Sequence, residues 1–147
     1  MAQSVPEAAL VPCVQLVPPG WTLADVRVRK GLSQLTFDTD RAGQAAVVVE
    51  LTASADLAGA VEVTSEQPGA RRYVLVERDA QPPSSTRVYV FDGGAVAIRF
   101  TAPTPQQLQR LAGEASSAIG FITREQLRQA LSRRTDGRLH LDPPVAP

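Results

Sequence analysis

The stretch RVYVFDGGAVAIRF, residues 87–100, decides how the rest of the chain is read. Val88-Tyr89-Val90-Phe91 and Val96-Ala97-Ile98-Arg99-Phe100 flank Asp92-Gly93-Gly94. Asp-Gly or Gly-Gly between two apolar runs is the strongest short-range signal of a two-residue hairpin turn. With either pair as the turn, facing residues have numbers that sum to an odd value. Arg87, Tyr89 and Phe91 then share a face with Val96, Ile98 and Phe100, and this is the heavy core face. Val88, Val90 and Ala97 take the other face, which is also apolar but smaller.

Two apolar faces on one hairpin mean a sheet that is covered on both sides. Upstream, Ala45-Ala46-Val47-Val48-Val49-Glu50-Leu51 is apolar at nearly every position and reads as the sheet's centre. Val26-Arg27-Val28-Arg29 alternates strictly, the pattern of a half-buried strand. Cys13–Val17, Leu32–Phe37 and Arg71–Arg78 read as further strands, and Val61–Thr64 as a short edge strand. Asp38–Gly43 is a hairpin loop, and Pro68-Gly69 fits the central pair of a type II turn. Ala53–Ala60 is one helical turn or a loop, and Gln81–Ser85 an exposed loop.

Downstream, Thr104-Pro105-Gln106-Gln107 opens a helix with a capping residue, a proline at the first helical position and a capping box. Leu108, Leu111, Ala112, Ala115 and Ile119 form its apolar stripe, and Gly120 is the expected stop. Thr123–Gln126 caps a second helix whose apolar face is Leu127, Ala130 and Leu131. The fold class is therefore α+β: an antiparallel β-sheet with two C-terminal helices, with an α/β/α sandwich as the arrangement that covers both faces. Residues 1–12 read as a loose leader, 13–142 as one domain and 143–147 as a disordered tail.

The composition agrees with one folded unit. The chain has 147 residues, 44% of them hydrophobic and 20% charged, with a formal net charge of +0. No global field favours nucleic acid or an anionic surface, so no nucleic-acid partner is expected. One Cys and one His exclude an internal disulfide, a Cys/His zinc site and an iron–sulfur cluster. No cofactor signature is present, neither a Walker-type loop nor G-x-G-x-x-G after a strand, and G-x-S-x-G is absent too. Lys30 is the only lysine among 15 basic residues, a skew that points to a GC-rich, actinobacterial genome. The residues before Arg27 contain no Lys or Arg and are broken by Pro6 and Pro12, so no secretory signal is expected within them.

No catalytic residue and no metal ligand is assigned. His140 lies in an alternating tail with Asp142 beside it and no nucleophile nearby in sequence, and Cys13 has no adjacent base. Asp38 and Asp40 are two apart in a turn, where Asp forms Asx-turns more often than it holds calcium. The arginines do cluster. If Arg71–Arg78 pairs in register with Arg87–Asp92, Val74, Val76, Val88, Val90 and Ala97 form an apolar strip on the face away from Tyr89 and Phe91, bounded by Arg72 and Arg99. The candidate binding residues are Arg72, Val88, Val90 and Arg99. A dry middle with charge at its rim suits a protein partner or self-association. The plainer alternative pairs the arginines with Glu62, Glu66, Glu77 and Asp79. Trp21 is expected as a core anchor.

Leu16-Val17-Pro18-Pro19-Gly20-Trp21, followed by strands, a late hairpin and a helix, resembles the PsbP/Mog1-type α/β/α sandwich. Pro-Pro-Gly-Trp, the Asp40/Gly43 hairpin, Pro68-Gly69 before Arg72-Tyr73, the Gly93-Gly94 hairpin and Gly120-Phe121 with Arg124 also resemble small extracytoplasmic domains of uncharacterised actinobacterial membrane proteins, over residues 13–142. Ala95 stands where that group has a cysteine after Gly-Gly. The resemblance implies an extracytoplasmic location, with membrane attachment through a partner or an anchor outside the chain, and no catalytic set. The expected function is a non-enzymatic binding or protein-interaction domain associated with a bacterial membrane protein. The competing expectations are a small enzyme using carboxylates and arginines in a cleft, and a cytosolic adaptor.

Overall fold

The computed structural model describes residues 1–141. In chain order the elements are β1 (Leu10–Val14), β2 (Trp21–Arg29), β3 (Leu32–Thr39), β4 (Gly43–Thr52), β5 (Val61–Val63), β6 (Ala70–Glu77), β7 (Ser84–Phe91), β8 (Gly94–Thr101), α1 (Pro105–Ala118), β9 (Ile119–Thr123) and α2 (Arg124–Thr135). Seven strands form an antiparallel sheet in the order β2-β3-β4-β8-β7-β6-β5, and β1 pairs with β9 in a separate two-stranded ribbon. The class is α+β, as the sequence predicts.

The sheet consists of two meanders, β2–β4 and β5–β8, joined where β4 pairs with β8. The predicted hairpin holds: Phe91 faces Gly94 across an Asp92-Gly93 turn, with Gly93 at φ +71°. Val47 faces Phe100, Val49 faces Ile98 and Leu51 faces Val96, and all six side chains are buried. The all-apolar run of β4 thus lies inside the sheet, though Val48 and Glu50 on its far face are only half-buried.

Helix α1 and the β1–β9 ribbon cover the Phe100 face. Thr104 caps α1 by accepting from the Gln107 backbone N–H, and Leu111, Ala115 and Ala118 press onto the sheet. The helix stops at Ala118, because Ile119–Thr123 leaves as β9 to pair with β1. Gly120 therefore sits in a strand opposite Cys13 rather than at a helix end. β1 starts earlier than expected, at Leu10, for the same reason. Phe121 of β9 meets Tyr89 at 4.8 Å between ring centroids and Phe91 at 6.4 Å. Trp21 is buried beside Phe37, and its indole N–H donates to Glu114 on α1 at 3.0 Å.

Residues 1–12 are attached to the fold rather than loose. Ala2, Ser4, Val5, Ala8, Leu10 and Val11 are buried. The Ser4 and Ser33 hydroxyls bond at 2.6 Å, and the Ala9 N–H donates to the Asp92 carbonyl at the hairpin turn. A side chain on Gly93 would overlap the Glu7 carbonyl. No helix among the described residues lies on the far face of the sheet. Helix α2 packs against β9, on the side that α1 and the ribbon already cover. The three-layer sandwich is thus replaced by two layers, and the connection 53–60 between β4 and β5 runs over the far face, where Gly59 lies beside Leu75. The expected disordered tail falls outside the described residues.

Phe91 and Phe100 are 8% and 1% exposed. Phe100→Ala and Phe91→Ala should each cost about 3–5 kcal/mol. Thermal melts of the two variants check this, and a midpoint within a degree or two of wild type for Phe100→Ala contradicts it.

Candidate functional site

The four candidate binding residues do not share one surface. In the β6–β7 pair, Arg71 faces Val90, Arg72 faces Tyr89 and Tyr73 faces Val88. Arg72, Val74 and Val76 therefore lie on the Tyr89 side, and Arg71, Tyr73 and Leu75 join Val88 and Val90 on the far face. This corrects the predicted strip. Its parity depended on the loop between β6 and β7, which closes on Glu77 and Ser84. A one-residue difference in a closing pair moves every side chain of a strand to the other face. Val88 is 4% exposed and offers nothing to a partner. Val90 is half-buried, and Arg99 remains open.

The arginines of this region are engaged by carboxylates. Arg71 makes a two-pronged bond to Glu62 at 2.9 and 2.7 Å, Arg72 bonds Glu66 at 3.0 Å, and Arg99 lies 3.7 Å from Glu77. Arg87 donates to the Ser116 hydroxyl on α1 at 2.9 Å and lies over the Phe100 ring. On the far face, Gln34, Val48, Glu50, Thr86, Ala97 and Arg99 line a hollow of about 300 Å³. Glu50 there accepts a bond from Gln34 at 2.6 Å.

Other polar residues singled out by sequence are scattered. Asp38 accepts from the Ala45 backbone N–H, with Ala45 at φ 50°, and so shapes the turn. Among the described residues, no group of three or more His, Cys, Asp or Glu is placed to hold a metal ion. Cys13 sits in β1, and burial pushes its thiol pKa up against the hydrogen bonds of Gly120 and Gln15. His140 lies exposed beside α2, near Glu125 and Arg128.

The surface that sequence reasoning misjudged is β2. Strict alternation predicts a half-buried strand, yet Val26 and Val28 are 51% and 55% exposed, and Leu23 is 51% exposed. These side chains point to the helix side, because Leu23 faces buried Phe37, Val26 faces Leu35 and Val28 faces Ser33. They lie beyond the cover of α1. β2 is also the sheet's edge, so one side of its backbone has no strand partner. The Lys30-Gly31 turn closes on Arg29 and Leu32. Arg29, Arg27 and Asp25 therefore direct their backbone groups to β3, while Val26 and Val28 direct theirs outward. The opposite face carries charge: Arg27 Nε donates to Asp25 at 2.7 Å. The signal in the sequence was the basic cluster Arg27, Arg29 and Lys30, which is common on edge strands.

A second unpredicted feature is the cluster of Tyr89, Glu66 and Arg72. The phenol O–H of Tyr89 donates to Glu66 at 2.5 Å. Burial and the Glu66 bond push the Tyr89 pKa up to about 12. Burial raises that of Glu66, but the bonds from Tyr89 and Arg72 outweigh it and leave the carboxyl below its usual range. A phenol whose pKa is raised on folding stabilises the fold fully below the unfolded value near 10, and that stability is lost as pH rises toward 12. Melting midpoints of wild type and Tyr89→Phe should therefore converge between about pH 10 and about pH 12. A gap that stays constant over that window contradicts the linkage.

No family model matches the chain, and no curated protein or solved structure matches it either.

Proposed function

We propose that this chain is a non-enzymatic protein-interaction domain in which β2 accepts an extended segment of another chain as an added strand. The observation that carries the reading is the state of β2: nine residues of edge strand, outward backbone groups at Val26 and Val28, and apolar side chains about half exposed along one face. Strand addition draws affinity from main-chain hydrogen bonds and specificity from alternate side chains. The segment that fits is apolar at the positions beside Val26 and Val28, and charged at those beside Asp25 and Arg27. A small enzyme using Glu50 and Arg99 is the competing reading. Its support is their shared hollow, in which Gln34 holds Glu50 while Arg99 is turned toward Glu77.

The probe for strand addition is a synthetic peptide with the sequence of residues 21–29. Added to the dilute chain, it should slow hydrogen exchange at the Val26 and Val28 amides about tenfold or more, while the Arg27 amide, already paired with β3, changes little. The same peptide N-methylated at alternate residues should have no effect. Unchanged exchange at Val26 and Val28 at peptide saturation removes the reading.

The domain belongs, on the same reading, with a bacterial membrane protein on the extracytoplasmic side. What supports the placement is the resemblance to actinobacterial extracytoplasmic domains, and what supports the bacterial source is the excess of arginine over lysine. No helix among the described residues is long and apolar enough to cross a membrane. Fractionation of cells carrying the native gene should recover the chain in the membrane fraction, open to external protease. Recovery in the cytosol favours the adaptor alternative and removes this placement.

A further inference from the structure

We propose that the strand taken up by β2 is the β2 of a second copy of this chain, giving a two-fold dimer whose sheets run on across the joint. This rests on the reading of β2 as a strand acceptor and names its occupant.

The pattern of β2 complements itself about Val26. With the two-fold axis at Val26 of an antiparallel pair, Asp25 of each copy lies opposite Arg27 of the other, and Ala24 lies opposite Val28. Directly facing residues share a face of a sheet. Both acid–base pairs then fall on the far face, where Asp25 and Arg27 already meet at 2.7 Å within one strand. The dimer turns each of those pairs into part of an alternating ring of four charges. Val26 faces its own copy on the other face, flanked by the two Ala24–Val28 pairs, and a strip that is half exposed in one copy is covered by the other.

Backbone parity agrees. Val26 and Val28 turn their N–H and C=O groups outward, so Val26 opposite Val26 is a hydrogen-bonded pair. The register shift between Leu23 and Asp25 marks a bulge at Ala24, which limits the ladder to the run from Ala24 to Val28. The same surface is used by both copies, so the contact closes at two and does not build a fibre.

The opposite edge of the sheet does not have these properties. β5 is three residues long, and a two-fold at its centre would set Glu62 against Glu62, with each already bonded to Arg71. Five residues of strand joint fall short of the roughly 1,200 Å² of a stable interface. The dimer is therefore weak and depends on concentration.

Sedimentation equilibrium on the 147-residue chain, from about 10 μM to about 1 mM, reads the association directly. The mass should rise from 15.7 kDa toward twice that value. Val26→Pro removes an outward N–H and leaves the ladder to β3 intact, so it should keep the chain folded and monomeric. Arg27→Asp sets like charges across the joint and should abolish the dimer. Asp25→Arg combined with Arg27→Asp should restore it to within about threefold. A chain that stays monomeric throughout overturns the dimer, as does a dimer that survives Arg27→Asp or one that the double exchange fails to restore. If the monomeric chain still takes up the 21–29 peptide, strand addition stands and the second copy does not. If it does neither, both are wrong.

Discussion

The pairing of β4 with β8 is the constraint on which the other contacts depend. It joins two successive meanders through strands that lie far apart in the chain, and it does so through buried pairs, Val47 with Phe100, Val49 with Ile98 and Leu51 with Val96. A three-stranded or four-stranded meander alone has one apolar face and nothing to place on it. Joined, they present a surface wide enough for α1, whose Ala115 and Ala118 allow the helix to lie close. The ribbon of β1 and β9 then closes the adjoining surface through Phe121, Leu10 and Ile119. Closing so long a loop costs chain entropy, and the burial of these facing apolar pairs offsets it.

The cover is narrower than the sheet. Seven strands spaced about 4.8 Å apart span about 29 Å, whereas one helix covers about 10 Å. The ribbon extends the cover, and α1 meets the β2 edge only at that strand's first residue, through Trp21 and Glu114. Val26 and Val28 remain about half exposed at one edge, and Val61 and Val76 at the other. The apolar residues of β2 have the same chemistry as those of β4. What differs is their distance from the helix. The edge that is long, flanked by charge and open along its backbone is therefore the one on which the proposed strand addition rests.

Much of this was legible in the sequence. Asp92-Gly93 specified its hairpin, because a two-residue turn fixes which residues face each other. Thr104 and Thr123 specified where two helices begin, because their hydroxyls accept backbone N–H groups from the first turn. Pro68-Gly69 specified a turn, with Gly69 at φ +79°. Trp21 specified a core anchor, since its N–H needed a partner and found Glu114. Each of these is a local rule whose partners lie within a few residues, or an apolar demand that any core satisfies.

Tertiary structure decided what local rules leave open. Arg72 lies beside Tyr89 rather than Val90 because the loop before Ser84 sets the pairing parity, and loop length alone does not. Ile119–Thr123 is a strand because Leu10–Val14 lies beside it, and a short apolar run reads equally well as the end of a helix. Val26 and Val28 show the same division most clearly. Alternation established that one side of β2 is apolar, since side chains on a strand alternate with period 2. Whether that side is buried depended on how far α1 reaches across seven strands, a distance that no window of sequence contains.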